Sequence, residues 1–215
     1  YCRFTGTIRA VSGGDAILDV NGAAALGGWG EITAGGIAAT HYSDSPLTAC
    51  EMTGNILLQG NVEDVYAGGL VAKDSGSLDQ CRVTGTISLT GKAKTPTLEI
   101  GGLAGKTRYQ CQYTDCSFNG TISIALSLSD IGSYPIYRVG GLFAESISDA
   151  TIKNCYASGT ILDSSTDETG ALTVLGTPAW CVSYLFSGDN KDFSGIYYPS
   201  GTFEAFDQPV TPSTG

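Results

Sequence analysis

The chain has 215 residues, with 11 basic against 21 acidic side chains and a net charge of −10. That balance argues against nucleic acid, whose affinity comes from basic residues neutralising phosphates, and against anionic membrane surfaces. Charged residues make up only 15% and glycines number 30, a turn-rich composition expected of secreted β-structure, and no run of about 18 apolar residues could span a membrane.

Read from its start, the chain repeats one phrase: Cys2-Arg-Phe-Thr-Gly-Thr-Ile8, Cys50-Glu-Met-Thr-Gly-Asn-Ile56, Cys81-Arg-Val-Thr-Gly-Thr-Ile87, Cys116-Ser-Phe-Asn-Gly-Thr-Ile122 and Cys155-Tyr-Ala-Ser-Gly-Thr-Ile161. A degenerate copy, Tyr197-Tyr-Pro-Ser-Gly-Thr-Phe203, follows. Between the copies stand Gly35-Gly-Ile-Ala-Ala39, Gly68-Gly-Leu-Val-Ala72, Gly101-Gly-Leu-Ala-Gly105, Gly140-Gly-Leu-Phe-Ala144 and a worn Ser183-Tyr-Leu-Phe-Ser187. The first phrase alternates with period two, which predicts a strand with Cys, the apolar residue, Gly and Ile inward and Arg, Thr and Thr outward. The Gly-Gly phrase predicts a second, shorter strand entered through a tight corner. No long stretch carries a helical pattern.

From each Gly pair to the next Cys the chain advances 15, 13, 15 and 15 positions, and from each Cys to the next Gly pair 33, 18, 20 and 24. One arc is held nearly constant and the other takes every insertion. A propeller blade would need repeated hairpin turns, which the sequence lacks, whereas a stack of coils needs only that each phrase lie over its counterpart. The expected fold is therefore all-β: a right-handed parallel β-helix, or solenoid, of about five coils. Residues 1–206 form one repeat domain, and residues 207–215 read as a Pro/Thr/Ser-rich linker or disordered tail. The chain opens within a repeat, which reads as a segment of a longer polypeptide with adjacent domains. The arcs 9–34, 59–67, 91–99, 126–138 and 163–182 are expected to project as loops along one edge.

Gly68-Gly-Leu-Val-Ala-Lys73 followed by Cys81-Arg-Val-Thr-Gly-Thr-Ile87, and Gly140-Gly-Leu-Phe-Ala144 followed by Cys155-Tyr-Ala-Ser-Gly-Thr-Ile161, resemble the GLUG-motif repeats of bacterial surface proteins. The resemblance runs from Cys2 to about Phe203. It implies an extracellular, adhesin-like module on a bacterial cell surface, and it carries no catalytic residues. Ser183-Tyr184 in place of Gly-Gly and Tyr197 in place of Cys depart from the pattern, as a terminal coil adapting into a cap would. Trp180, Tyr184, Phe186, Phe193, Tyr197, Tyr198, Phe203 and Phe206 crowd that final coil and predict an aromatic C-terminal cap.

Chemistry is sparse. Five of the seven cysteines hold one inward site, so they predict a buried column of free thiols; Cys111 and Cys181 are out of register and read as an odd pair or surface thiols. No zinc site or other cofactor site is read: there is no Cys-x-x-Cys, and His41, the one histidine, reads as a solvated loop residue. The acids Glu63-Asp64 and Asp167-Glu168 are sequence neighbours on variable arcs and read as solvated rather than as a catalytic pair. These observations favour a non-enzymatic surface module over its alternatives, a β-helix polysaccharide lyase or glycoside hydrolase and an ice-binding solenoid. The last rests on the outward Thr-x-Thr columns, which strand propensity also explains. Trp29, Tyr134 and Tyr137, with Tyr66, lie in or beside the variable arcs. They read either as contacts for glycans or host or bacterial surface proteins, or as anchors for their own loops.

Overall fold

A computed structural model describes residues 1–12, 30–42, 46–107, 111–129, 136–146, 151–167, 169–171, 182–185 and 192–194, the last two groups and Thr95 and Ser146 by backbone alone. The chain folds into strands β1 (Arg3–Ser12), β2 (Gly30–Gly35), β3 (Ala38–His41), β4 (Leu47–Thr48), β5 (Glu51–Gly68) and β6 (Val71–Asp74). There follow β7 (Ser77–Asp79), β8 (Arg82–Gly101), β9 (Ala104–Thr107), β10 (Gln112–Thr114), β11 (Ser117–Leu128) and β12 (Ile136–Gly140). The series ends with β13 (Phe143–Ser146), β14 (Thr151–Lys153), β15 (Tyr156–Asp163), β16 (Val182–Leu185) and β17 (Asp192–Ser194). No helix occurs among the described residues.

Every pairing among the described residues is parallel. A seven-stranded sheet carries the path β1-β5-β8-β11-β15, with β2 on β5 and β12 on β8; two five-stranded sheets run β3-β6-β9-β13-β16 and β4-β7-β10-β14-β17. One coil is thus a long strand, a Gly-Gly corner, a short strand, a bend, a second short strand and a corner at Cys. The result is a three-sided β-solenoid of about three turns, followed through β5–β7, β8–β10 and β11–β14. This corrects the expected coil number: the outer strands of each sheet belong to stretches interrupted by residues 13–29 and 172–181, outside the described residues. Of the residues expected to form an aromatic cap, Tyr184 and Phe193 lie on β16 and β17, paired with Glu145 and Ile152; the others and the 207–215 tail lie outside the described residues.

Register follows the repeat phrase residue by residue: Ile8 pairs Ile56, Ile56 pairs Ile87, Ile87 pairs Ile122 and Ile122 pairs Ile161. Ile56, Ile87, Ile122 and Ile161 are buried, as are Cys50, Cys81, Cys116 and Cys155. Cys2 is exposed and Ile8 only partly buried, because β1 is the outer strand of its sheet among the described residues. The inward glycine of the phrase has a structural reason. Gly54 and Gly85 take φ of 144° and 147°, and a Cβ on either would collide with the glycine carbonyl of the preceding coil. At the other corner, a Cβ on Gly69 would strike Val83 and one on Gly102 would strike Phe118, so the Gly pair lets the chain bend tightly over the apolar residue of the phrase.

The Cys corner is a column of left-handed residues. Ala49, Gln80, Asp115 and Asn154 have φ between 52° and 54°, a conformation costing about 1–2 kcal/mol for a residue with a side chain. Each turn is held by the next coil: the N–H groups of Ala49, Gln80 and Asp115 donate to the carbonyls of Asp79, Thr114 and Lys153 at 2.8, 2.9 and 3.0 Å. Beneath them the thiols of Cys81 and Cys116 donate to carbonyls, Cys81 to Leu47 at 3.1 Å and Cys116 to Thr114 at 3.1 Å. Contact with the next sulfur, Cys116 for Cys81 and Cys155 for Cys116, pushes both thiols up, and burial adds to it. Protonated and covered, they act as small apolar residues.

The expected loop edge is corrected. Residues 59–67 and 91–99 lie inside β5 and β8, which run for 18 and 20 residues. The insertions enter at one place: pairing moves from Val62–Ala93 to Asp64–Thr97, so the extra residues of β8 form a bulge opposite Glu63. The same longitude separates β11 from β12 in the next coil. Ser164 and Thr166 also stack on β11, their N–H groups donating to Ile124 and Leu126 at 2.8 Å.

Candidate functional site

The broadest regular feature is the outward face of the long sheet. Thr5, Thr53, Thr84, Asn119 and Ser158 lie in register in one column, and Thr7, Asn55, Thr86, Thr121 and Thr160 in the next. All are exposed or half-exposed. Pleating sets the columns about 6.7 Å apart along the strand and about 4.8 Å apart across it. Arg9, Leu57, Ser88, Ser123 and Leu162 follow in a third, less polar column. Each hydroxyl or amide here can both donate and accept, on a support that cannot rearrange without unstacking a coil.

A second feature forms where the long sheet meets the Gly-Gly strands. Tyr66, Glu99 and Arg138 pair in one column, and Lys73, Lys106 and Glu145 in the facing one. The tight corner turns these outward columns toward each other. One Arg138 guanidinium nitrogen donates to Glu99 Oε1 and Glu145 Oε1, both at 2.7 Å. Lys106 Nζ stands 3.3 Å from Glu99 Oε2 and 3.8 Å from Glu145 Oε2, at ion-pair distance but without hydrogen-bond geometry. Lys73 bonds Glu31 at 2.5 Å and lies 3.8 Å from the centre of the Tyr66 ring. The hydrogen bond from Lys73 pulls the Glu31 carboxyl down. Burial, then the charge of Glu99, pushes Glu145 up, while Arg138 and Lys106 oppose the shift. Tyr66 is pushed up to about 12, first by burial and then by Asp64 and Glu99. Glu99 is 1% exposed and Glu145 5%, so these carboxyls are committed to their cations rather than open to a substrate.

The third feature is internal. His41, expected in a solvated loop, sits on β3 with its Nδ1 2.8 Å from Asp74 Oδ1 and only 10% of its side chain exposed. The wholly buried Asp74 also accepts the Gly76 N–H at 2.9 Å and, on Oδ2, the Tyr113 hydroxyl at 3.0 Å. Tyr113 stacks on Phe143 with ring centres 4.2 Å apart. Burial, then Asp74, holds its hydroxyl well above the usual tyrosine range. Cys111, expected at the surface or paired with Cys181, is buried beside this network, its sulfur 3.8 Å from the Asp74 carbonyl. Cys181 lies outside the described residues.

Of the aromatic contacts expected along the variable edge, Trp29 and Tyr134 lie outside the described residues. Tyr137 packs against the core, and its hydroxyl is buried without a hydrogen bond. Burial, then the nearby charge of Asp163, pushes that hydroxyl far up. In this arrangement Tyr137 anchors the wall.

Sequence reasoning did not pick out the Glu99–Arg138–Glu145 cluster or the Asp74 network, although a positional signal exists. Thr33, Tyr66, Glu99 and Arg138 each stand two residues before the first Gly of a pair, and Thr40, Lys73, Lys106 and Glu145 five after it. His41, Asp74 and Thr107 stand six after it and form an inward polar column. Among the described residues, no group of three or more His, Cys, Asp or Glu is placed to hold a metal. No family model, curated protein or solved structure matches this chain.

Proposed function

We propose that the chain is a non-enzymatic, adhesin-like repeat module of the GLUG type, displayed on or secreted from a bacterial cell, that holds a glycan or a surface protein against its rigid polar wall. The reading is carried by the in-register, solvent-facing columns of Thr, Asn and Ser on the long sheet. A repeated ligand can match a repeated donor and acceptor spacing, and a pre-organised wall loses little entropy on binding. Low charge content and the buried column of Cys50, Cys81, Cys116 and Cys155 suit such a module. The same reading includes right-handed winding, as parallel crossover connections favour, an aromatic cap closing the C-terminal end, and Trp29 and Tyr134 as further contacts.

The enzymatic alternative draws little from the described residues. The paired carboxyls Glu99 and Glu145 are buried against Arg138 and Lys106, whereas glycosidic hydrolysis needs two carboxyls flanking a substrate-filled gap. The deciding experiment is a glycan array and cell-attachment assay with the full chain and a Thr84→Lys/Thr86→Lys variant. Attachment that the double variant abolishes, with its fold intact, supports the reading. Attachment that survives it removes the wall as the binding face. Turnover in a polysaccharide screen with and without calcium would replace the reading with a lyase or hydrolase, and thermal hysteresis would replace it with ice binding.

A further inference from the structure

The Cys corner holds a cavity of about 460 Å³ lined by Tyr1, Ala49, Cys50, Glu51, Gln80, Arg82 and Asp115. This volume lies within the usual range for small-ligand sites, about 300–1,000 Å³. The geometry points to a subsite for a neutral sugar ring, with Arg82, Gln80 and Asp115 as the recognising side chains.

Three observations carry the assignment. First, the cavity walls are fixed before any ligand arrives. Gln80 and Asp115 are held in left-handed conformations, each with its N–H bonded to the next coil. Second, Arg82 is exposed; its N–H donates to the Cys50 carbonyl at 2.9 Å, whereas its guanidinium is in no ion pair or hydrogen bond among the described residues, so the planar donor set is available. Its register partner Glu51 instead meets Arg3 at 3.4 Å. Third, the cavity presents groups of both signs. Glu51 is already paired with Arg3, and Arg82 and Asp115 line the same cavity with opposite charge, which suits a ligand that both donates and accepts better than one of a single charge. A pyranose hydroxyl donates and accepts at once. Vicinal hydroxyls can accept from the Arg82 guanidinium and the Gln80 amide while donating to the carboxylates of Asp115 and Glu51. Tyr1, 81% exposed, offers an apolar ring face beside them.

A second cavity, of about 370 Å³, opens on the neighbouring face and is lined by Ser77, Asp79, Gln112 and Thr114, among others. Asp79–Gln80 and Thr114–Asp115 form the ridge between the two, each pair giving one residue to either side. A saccharide longer than one unit can therefore follow the corner and gain contacts on both sides. The inference deepens the proposed function by naming the class of glycan, a neutral one, and rests on that reading for its ligand class. The subsite lies at the Cys-corner end of the same outward face, where Glu51 and Arg82 form the column that precedes the threonine columns.

The test is an amide NMR titration of the full chain with methyl glucoside, methyl galactoside, cellobiose and digalacturonate. Saturable shifts confined to the amides of Ala49–Glu51, Gln80–Arg82 and Asp115 are expected with at least one neutral sugar. Arg82→Ala and Asp115→Ala should each weaken that binding about tenfold or more, and Arg82→Lys should weaken it as well, because an ammonium lacks the planar fork. Unchanged spectra elsewhere report that these surface variants keep their fold. A Thr86→Lys/Thr121→Lys variant, whose paired positions lie at least four residues beyond Arg82 and Ser117 along their strands, should leave the titration unaltered, which separates this subsite from attachment through the polar wall. No saturable shift with any neutral sugar, tighter binding of digalacturonate, or indifference to both Arg82 and Asp115 substitutions would overturn the assignment.

Discussion

The two corners of each coil solve the same stacking problem in opposite ways. At the Cys corner and along the phrase that follows it, like lies on like: Cys over Cys, Gly over Gly, Ile over Ile. At the Gly-Gly corner the outward columns change from coil to coil, Tyr66 to Glu99 to Arg138 on one side and Lys73 to Lys106 to Glu145 on the other. The difference follows from charge. An apolar side chain or a glycine about 4.8 Å from its copy gains contact, whereas like charges at that spacing repel. The one like-charged step, Lys73 beside Lys106, is relieved by Glu31, Glu99 and the face of Tyr66, whose centre lies 3.8 Å from Lys73 Nζ and 5.4 Å from Lys106 Nζ. Uniform columns can repeat indefinitely, while heterogeneous columns fix which coil lies next to which.

The largest expected effect tests the heterogeneous corner. Arg138→Ala leaves Glu99 and Glu145 buried with Lys106 alone, at ion-pair distance but without hydrogen-bond geometry, and should cost about 3–5 kcal/mol in chemical denaturation. Replacing the set by Glu99→Leu, Arg138→Met and Glu145→Leu should recover most of that loss, because the buried carboxylates are then gone and the one cation that loses them, Lys106, is 28% exposed and can reach water. A triple variant as unstable as the single one would mean that the cluster holds the corner by shape rather than by charge balance.

Gly85→Ala probes the uniform region. Its φ of 147° disfavours any side chain, and the added Cβ would meet the Gly54 carbonyl. Backbone strain of about 1–2 kcal/mol and overpacking of about 1–3 kcal/mol predict a loss of about 2–5 kcal/mol with a lowered melting temperature. The same substitution at the open position Gly170, which has no neighbour within 4 Å but a φ of 81°, should show the strain alone, about 1–2 kcal/mol. Equal losses at the two sites would show that stacking contributes nothing to the glycine requirement.

The smallest effect is a change of slope with pH. Glu145 has its carboxyl pushed above the ordinary value of 4.5, first by burial and then by Glu99. A raised pKa means that the folded state holds a proton the unfolded state releases more readily. The associated stability is fully present below about 4.5 and is lost as pH rises through the higher folded value. Glu145→Gln should flatten the decline of stability above that pH. A wild-type profile that rises across this range while the variant stays flat would reverse the assigned sign.

The parts legible in the sequence share one property: they are local or repeat identically. Alternation within Cys81–Ile87 shows which side chains point inward, and recurrence of the phrase shows that copies stack. The Gly pairs mark a bend because only glycine fits so close to Val83 and Phe118. The short third-sheet strands, such as Ser77–Asp79 and Gln112–Thr114, were missed because three residues carry too little alternation to register. The arcs 59–67 and 91–99 read as loops because their lengths differ, yet a bulge at Glu63 absorbs the difference and leaves both strands unbroken.

Sequence by itself therefore determined the repeating unit, its inward face and the parallel stacking of coils, since side-chain alternation and register need only neighbouring residues and their copies. The tertiary structure decided which outward columns face each other. It placed Arg138 between Glu99 and Glu145, Asp74 between His41 and Tyr113, and the exposed Arg82 side chain on the wall of a cavity. The physical reason is that the angle at each corner depends on a whole coil packing over its apolar core. Residues more than 30 positions apart, such as His41 and Asp74, meet only after that angle is set.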